Sequence, residues 1–198
     1  MSLSVLLQTE QFVRALLERS LDKHLYYHNI SHTVEVVRFA AELARQESLS
    51  PEETEIVLLA AWFHDTGFTV SYIDHEREST RIASQFLSPW IGADQISQIT
   101  DCIMVTCKGS IPANTLQSIM HDADYGHFFK PDYFAHMENL REEVAVVFKQ
   151  SFTNQEWYEM NSRFLSNHHF YTTVCQRRWA IQKNKLLAEN AQMLRLQR

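Results

Sequence analysis

Turn-forming residues are scarce in this sequence. Its 198 residues include four glycines and four prolines, and all eight stand between periodic segments or at their starts. That distribution favours helices joined by turns over a fold built from many hairpins. Cysteine is nearly missing. Cys102, Cys107 and Cys175 form no CxxC pair and no disulfide framework, which suits a reducing, cytoplasmic setting. Positive charge is also short. A net charge of −6 argues against a sequence-independent grip on a nucleic-acid polymer, while local basic residues suffice to hold one small phosphorylated ligand. No stretch approaches about 18 consecutive apolar residues and no basic leader is visible, so neither a membrane span nor a signal peptide is expected. The length suits a single domain over 1–198 with a substantial core.

What the chain does have is histidine, ten in all, with several close to acids. It also has one long apolar run, residues 56–63, eight apolar side chains that end abruptly in His64-Asp65. A segment apolar all round belongs in a core. Its end therefore delivers His64 and Asp65 to a buried or half-buried place, where an unpaired carboxylate is strongly disfavoured unless it meets a partner or a metal.

The periodicity predicts an all-α fold. Leu3, Leu6, Leu7, Phe12, Val13, Leu16, Leu17 and Leu21 mark an amphipathic helix over 4–25. Asn29 is a good N-cap for a helix running to about 46, with His28 just before it and His32 in its first turn. Ser50-Pro51-Glu52-Glu53 is a helix start signal and opens the buried helix. Residues 74–88 form the next helix, with Asp74 as N-cap and His75, Glu76 and Ser79 in the opening turns. Two further helices carry Ile96, Ile99, Ile103 and Met104, and then Leu116, Ile119, Met120 and Ala123. The second of these runs out at His121-Asp122-Ala123-Asp124. Three more follow: 133 to about 149, one opened by the capping box Thr153-Asn154-Gln155-Glu156, and a long polar helix over 171–196. No repeat, low-complexity tract or convincing strand interrupts this pattern.

His32, His64, Asp65 and Asp124 form a mixed set of two imidazoles and two carboxylates. Such a set suits a divalent transition metal, or magnesium less well, with positions left for water. In this order and context the residues resemble the H…HD…D pattern of the HD-domain phosphohydrolase superfamily. The resemblance runs through Tyr27-His28-Asn29-x-x-His32-Thr33, Ala60-Ala61-x-x-His64-Asp65-x-Gly67-Phe68, His75-Glu76-x-x-Ser79 and Asp122-Ala123-Asp124. It is specific over about 26–126 and looser in the helical extension over about 131–198. It implies a helical bundle in which His32, His64, Asp65 and Asp124 are metal ligands, and a metal-activated water that attacks phosphorus, with Asp65 also counted among the catalytic residues.

Tyr27-His28-Asn29-x-x-His32 is also similar to the signature of cyclic-nucleotide phosphodiesterases, which are HD relatives. That similarity makes His28 the candidate general acid. Those enzymes have a further histidine four residues after the HD histidine, where this chain has Phe68, so it is not read as one of them. HD subfamilies with two metals supply extra histidines from the next two helices. His75 matches the first, but Thr106 stands where the second is expected. One divalent ion (Mn, Fe, Co, Ni, Zn or Mg) is therefore expected, with His75 and Glu76 beside it contacting water or phosphate. Lys108, Arg77 and Arg81 are the sequence-near cations for the phosphate, Lys108 foremost because it follows a helix end that should face the site. His121 faces either the same cleft or the surface, and His24, His127, His136, His168 and His169 read as surface or core histidines. The expected substrate is a small phosphoester or phosphoanhydride, a nucleotide first among them. A di-iron HD-type oxygenase and a non-catalytic nucleotide-binding module are the competing readings. The C-terminal third is left between closing the cleft and forming a homodimer surface.

Overall fold

The apolar run forms the C-terminal turns of the central helix, α3 (Pro51–Phe63). In a computed structural model of the chain, residues 4–196 are described; Leu3, the first residue of the predicted apolar stripe, lies outside them. α3 starts on the predicted capping box. Ser50 Oγ accepts the Glu53 amide at 3.2 Å, and Glu53 Oε2 accepts the Ser50 amide at 2.8 Å. From Ile56 onward nearly every side chain is buried, including Ala60, Ala61, Trp62 and Phe63. A helix buried on all sides needs neighbours on all sides. α3 finds them in α1 (Val5–Ser20), α2 (Ile30–Gln46), α4 (His75–Leu87), α5 (Ala93–Met104) and α6 (Thr115–Asp124).

α7 (Tyr133–Phe148), α8 (Asn154–Asn167) and α9 (Thr173–Leu196) complete the bundle. Among the described residues there is no strand, and no helix is long and apolar enough to cross a membrane. The three C-terminal helices are held by buried polar contacts as well as by packing. Tyr133 Oη donates to Asn161 Oδ1 at 2.5 Å, Asn161 Nδ2 donates to Asn190 Oδ1 at 2.7 Å, and Asn190 Nδ2 donates to the Tyr158 carbonyl at 2.8 Å. The segment between α8 and α9 is tied to α6 by Asp122, whose buried carboxylate accepts the amides of Tyr171 (3.0 Å) and Thr172 (2.8 Å) and the Thr172 hydroxyl (2.8 Å).

One predicted helix end is corrected. α1 stops at Ser20 rather than 25, because Asp22 accepts both the backbone amide and the ring Nδ1 of His24 at 2.9 Å and holds the chain in a turn. Asp74 holds the N-cap position of α4 as expected, but without a side-chain cap bond. It sits in the left-handed region (φ 57°, ψ 30°).

The turn after α3 is clasped to α4. Gly67 N donates to Ser79 Oγ at 2.8 Å, and Ser79 Oγ donates to the His64 carbonyl at 2.6 Å. The approach is so close that a Cβ on Gly67 would stand 1.9 Å from the His75 carbonyl oxygen and 2.8 Å from the Ser79 amide nitrogen. Both are backbone atoms and cannot swing aside as a side chain would. Gly67→Ala is therefore expected to lower unfolding free energy by about 1–3 kcal/mol, read from urea denaturation. Unchanged stability would mean that the clasp is not needed to seat α4.

Candidate metal centre

Three helix ends meet at one place. His32 lies in the first turn of α2, opened by Asn29 Oδ1, which accepts the Ser31 amide at 2.9 Å. His64 is the C-cap of α3, and Asp65 follows it. Asp124 is the last residue of α6. The carbonyl ends of α3 and α6 both carry partial negative charge, which favours a cation between them.

His64 Nδ1 donates to the Ala61 carbonyl at 2.8 Å. A carbonyl can only accept, so the neutral ring carries its lone pair on Nε2, which faces the cluster. His64 Nε2 and His32 Nε2 are 3.4 Å apart. Asp124 Oδ1 lies 3.1 Å from His32 Nε2 and 3.7 Å from His64 Nε2. Asp65 Oδ2 lies 3.4 Å and 3.2 Å from the same two nitrogens. One ligand atom from each of His32, His64 and Asp124 lies within 4.8 Å of the others. Two atoms each about 2.1 Å from one ion, at octahedral or tetrahedral angles, stand about 3.0–3.4 Å apart, so the observed spacing suits a shared cation. Asp65 Oδ2 is also buried without a hydrogen-bond partner, a position that a metal would satisfy.

The electrostatics agree. For His64, Asp65 and Asp124 burial works against the charged form, and the opposite charges outweigh it. Burial pulls the His64 imidazolium down, but the charge of the adjacent Asp65 carboxylate, then that of Asp124, raises it to about 9. Burial pushes Asp65 up, yet His64 and His75 hold it well below the ordinary carboxylate value. Asp124 is lowered in the same way, chiefly by His32 and His64. A site that holds a proton this firmly exchanges it for a cation when a metal binds.

Beside the cluster, His28 is held by Glu143 of α7. His28 Nδ1 pairs with Glu143 Oε1. Oε2 accepts the amides of Tyr27 (2.9 Å) and His28 (3.0 Å), and the Tyr72 hydroxyl donates to Oε1 at 3.0 Å. Burial disfavours the His28 imidazolium, and the Glu143 bond outweighs burial and raises its pKa. The His28 ring centroid is 6.0 Å from that of His32 and 4.4 Å from that of Phe68. His28 therefore stands next to the ligand cluster rather than within it.

These groups open onto a cavity of about 700 Å³, whose polar lining includes His28, Asp65, His75, Glu76, Lys108 and Asp124. His75 stacks on Phe68 at 3.8 Å between ring centroids, with Nε2 3.6 Å from Asp65 Oδ1. Glu76 Oε2 lies 3.5 Å from His75 Nδ1. Thr106, at the position where a second-metal histidine was expected, also lines the cavity and donates to the Ile103 carbonyl at 2.8 Å.

Arg77 is exposed and not part of the cavity wall. Arg81 pairs with Glu78 at 2.8 Å. Of the three candidate cations, only Lys108 reaches the cavity wall. His121 also lies off the wall, with Nδ1 3.2 Å from Asp122 Oδ1 and its ring stacked on His168.

Two residues of the site are not evident from the sequence. Glu143 sits in a charged string, Arg141-Glu142-Glu143, that reads as a solvated face. Its one signal is helical phase, since Met137, Leu140 and Val144, on the same face, line the cavity. His127, read as an ordinary core or surface histidine, lines the cavity with its Nδ1 3.1 Å from the Tyr27 hydroxyl. Burial drives its pKa well below the ordinary value, so it stays neutral.

Comparison with known proteins found no match among curated proteins and none among solved structures. The sequence model of one family, described as HD-CE, matches residues 10–194. That span takes in the ligand cluster, the His28–Glu143 pair and the helices that wall the cavity, and the chain belongs to the HD-CE family.

Proposed function

We propose that this protein is a metal-dependent phosphohydrolase of the HD superfamily type, cleaving a small phosphoester or phosphoanhydride. The observation that carries the proposal is that His32, His64 and Asp124, from three separate helix ends, present ligand atoms within 4.8 Å of one another beside a cavity, with Asp65 Oδ2 within 3.4 Å of both imidazole nitrogens. His32, His64, Asp65 and Asp124 would hold one divalent cation. Such a cation acidifies a bound water toward neutrality and offsets charge on phosphoryl oxygens.

The chain's own groups supply the rest. Glu143 occupies Nδ1 of His28 and favours its protonated form, leaving Nε2 as the proton donor for the departing oxygen. Lys108 on the cavity wall attracts the phosphate. His75 and Glu76 stand at the opening turn of α4, next to Asp65, where they can accept hydrogen bonds from water or contact the phosphate. Thr106 supplies no imidazole, which supports a single metal over the histidine-rich pair that an oxygenase would need.

The test is a panel of nucleotides, pyrophosphates, phosphomonoesters and phosphodiesters, assayed with Mn, Co, Ni, Zn or Mg supplied in turn. Hydrolysis that a chelator abolishes and added metal restores is expected. Absence of hydrolysis of every ester with every metal would contradict the proposal.

A further inference from the structure

The cavity is chemically two-sided. Its polar lining comes from the ends of α3 and α6, the opening turn of α4, and Lys108. The wall contributed by α7, α8 and the residues between them is different: Met137, Leu140, Val144, Phe152, Trp157 and Met160 all line it. Met160 and Phe164, which also line the cavity, are 44% and 38% exposed. These are large apolar side chains left facing the opening.

The polar groups on that wall are few. Asn161 uses its oxygen for Tyr133 and its amide for Asn190. The Asn167 amide donates to the Arg163 carbonyl at 2.9 Å. The Arg163 side chain is 75% exposed and lies 3.7 Å from Glu159. Trp157 Nε1 is buried with no hydrogen-bond partner. A sugar or nucleobase placed against this wall would lose water from its donors and acceptors and meet mostly carbon, with the exposed Arg163 and Asn167 as the polar side chains left to it, which is unfavourable for each group left unpaired. A hydrocarbon loses nothing polar and gains from burial.

We propose that the substrate is an amphiphilic phosphomonoester, with its phosphate at the ligand cluster and an aliphatic or aromatic leaving group along the α7–α8 wall. This rests on the phosphohydrolase reading above. Water oxygen forms the new bond to phosphorus, the bond from phosphorus to the alcohol oxygen breaks, and that oxygen takes the proton from His28. The proton given up by water passes to solvent. The products are inorganic phosphate and an apolar alcohol.

Two arms test this with the full, Mn-loaded chain. In the first, kcat/KM is measured for methyl, butyl, hexyl and octyl phosphate and for nucleoside monophosphates. It should rise about fourfold per added methylene, and octyl phosphate should exceed every nucleotide at least tenfold. Met160→Lys should flatten this slope and Met160→Leu should preserve it. In the second, binding of methyl- and octylphosphonate is measured by calorimetry, with no turnover required. Tighter binding of the octyl compound without hydrolysis of any ester supports the apolar wall and overturns the phosphohydrolase reading. Hydrolysis without length dependence, or with nucleotides preferred, overturns the amphiphile proposal and leaves the phosphohydrolase reading standing. Equal binding of both phosphonates overturns the amphiphile proposal in either case.

Discussion

Asp65→Ala is expected to lose metal and activity together. Asp65 Oδ2 is the one carboxylate oxygen of the cluster that is both buried and without a hydrogen-bond partner, and it lies within 3.4 Å of both facing imidazole nitrogens. Removing it deletes a ligand and strips His64 of the charge that contributes most to raising it. Loss of a residue that only supports a ligand lowers affinity by about 10–100-fold. Loss of a ligand should lower it by more than about 100-fold, with hydrolysis falling at least as far. The measurements are metal content after dialysis and turnover at saturating metal. Asp65 is itself buried, but it lies beyond the last residue of α3, so the apolar packing of that helix should survive its removal. Wild-type metal affinity in the variant would remove Asp65 from the ligand set.

His28→Ala should behave in the opposite way toward metal. His28 is paired to Glu143 and lies outside the cluster, so the variant should keep its metal and still bind substrate. Turnover should fall by about 10²–10⁴-fold, the range for removal of a positioned general acid. The defect should shrink for an ester of an acidic phenol, whose departing oxygen needs no proton. That dependence on the leaving group separates a proton donor from a histidine that merely packs. Glu143→Gln should reproduce much of the loss, because a glutamine cannot match both contacts to His28: an amide nitrogen facing Nδ1 cannot accept its proton, and one facing the backbone cannot accept the amide. Turnover equal to wild type in His28→Ala would leave the donor role unsupported.

The helices were legible wherever a local rule suffices to define them. The Ser50 and Thr153 capping boxes both form, with the amide and carboxylate bonds that the spacing implies. The uniformly apolar run of α3 could only be a core helix, and its abrupt polar end placed His64 and Asp65 inside. A helix end set by side-chain competition was harder to place, as Asp22 shows. The least legible residues were those whose role is created by the tertiary fold. Asp122 reads as one acid among several, yet it anchors a loop 49 residues away in sequence. Glu143 reads as surface charge, yet it accepts hydrogen bonds from a segment 116 residues away. Trp157 is buried like a core residue and Phe164 is partly exposed, yet both line the cavity together with Phe152. Periodicity shows which face of a helix is apolar but not whether another helix or a ligand covers it.

The most direct test of the cation site is a crystal grown or soaked with manganese, with diffraction recorded across the metal's absorption edge. One anomalous peak is expected within bonding distance of His32 Nε2, His64 Nε2, Asp65 Oδ2 and Asp124 Oδ1. No peak there at saturating metal, or a peak only elsewhere in the molecule, would show that these side chains do not share a cation.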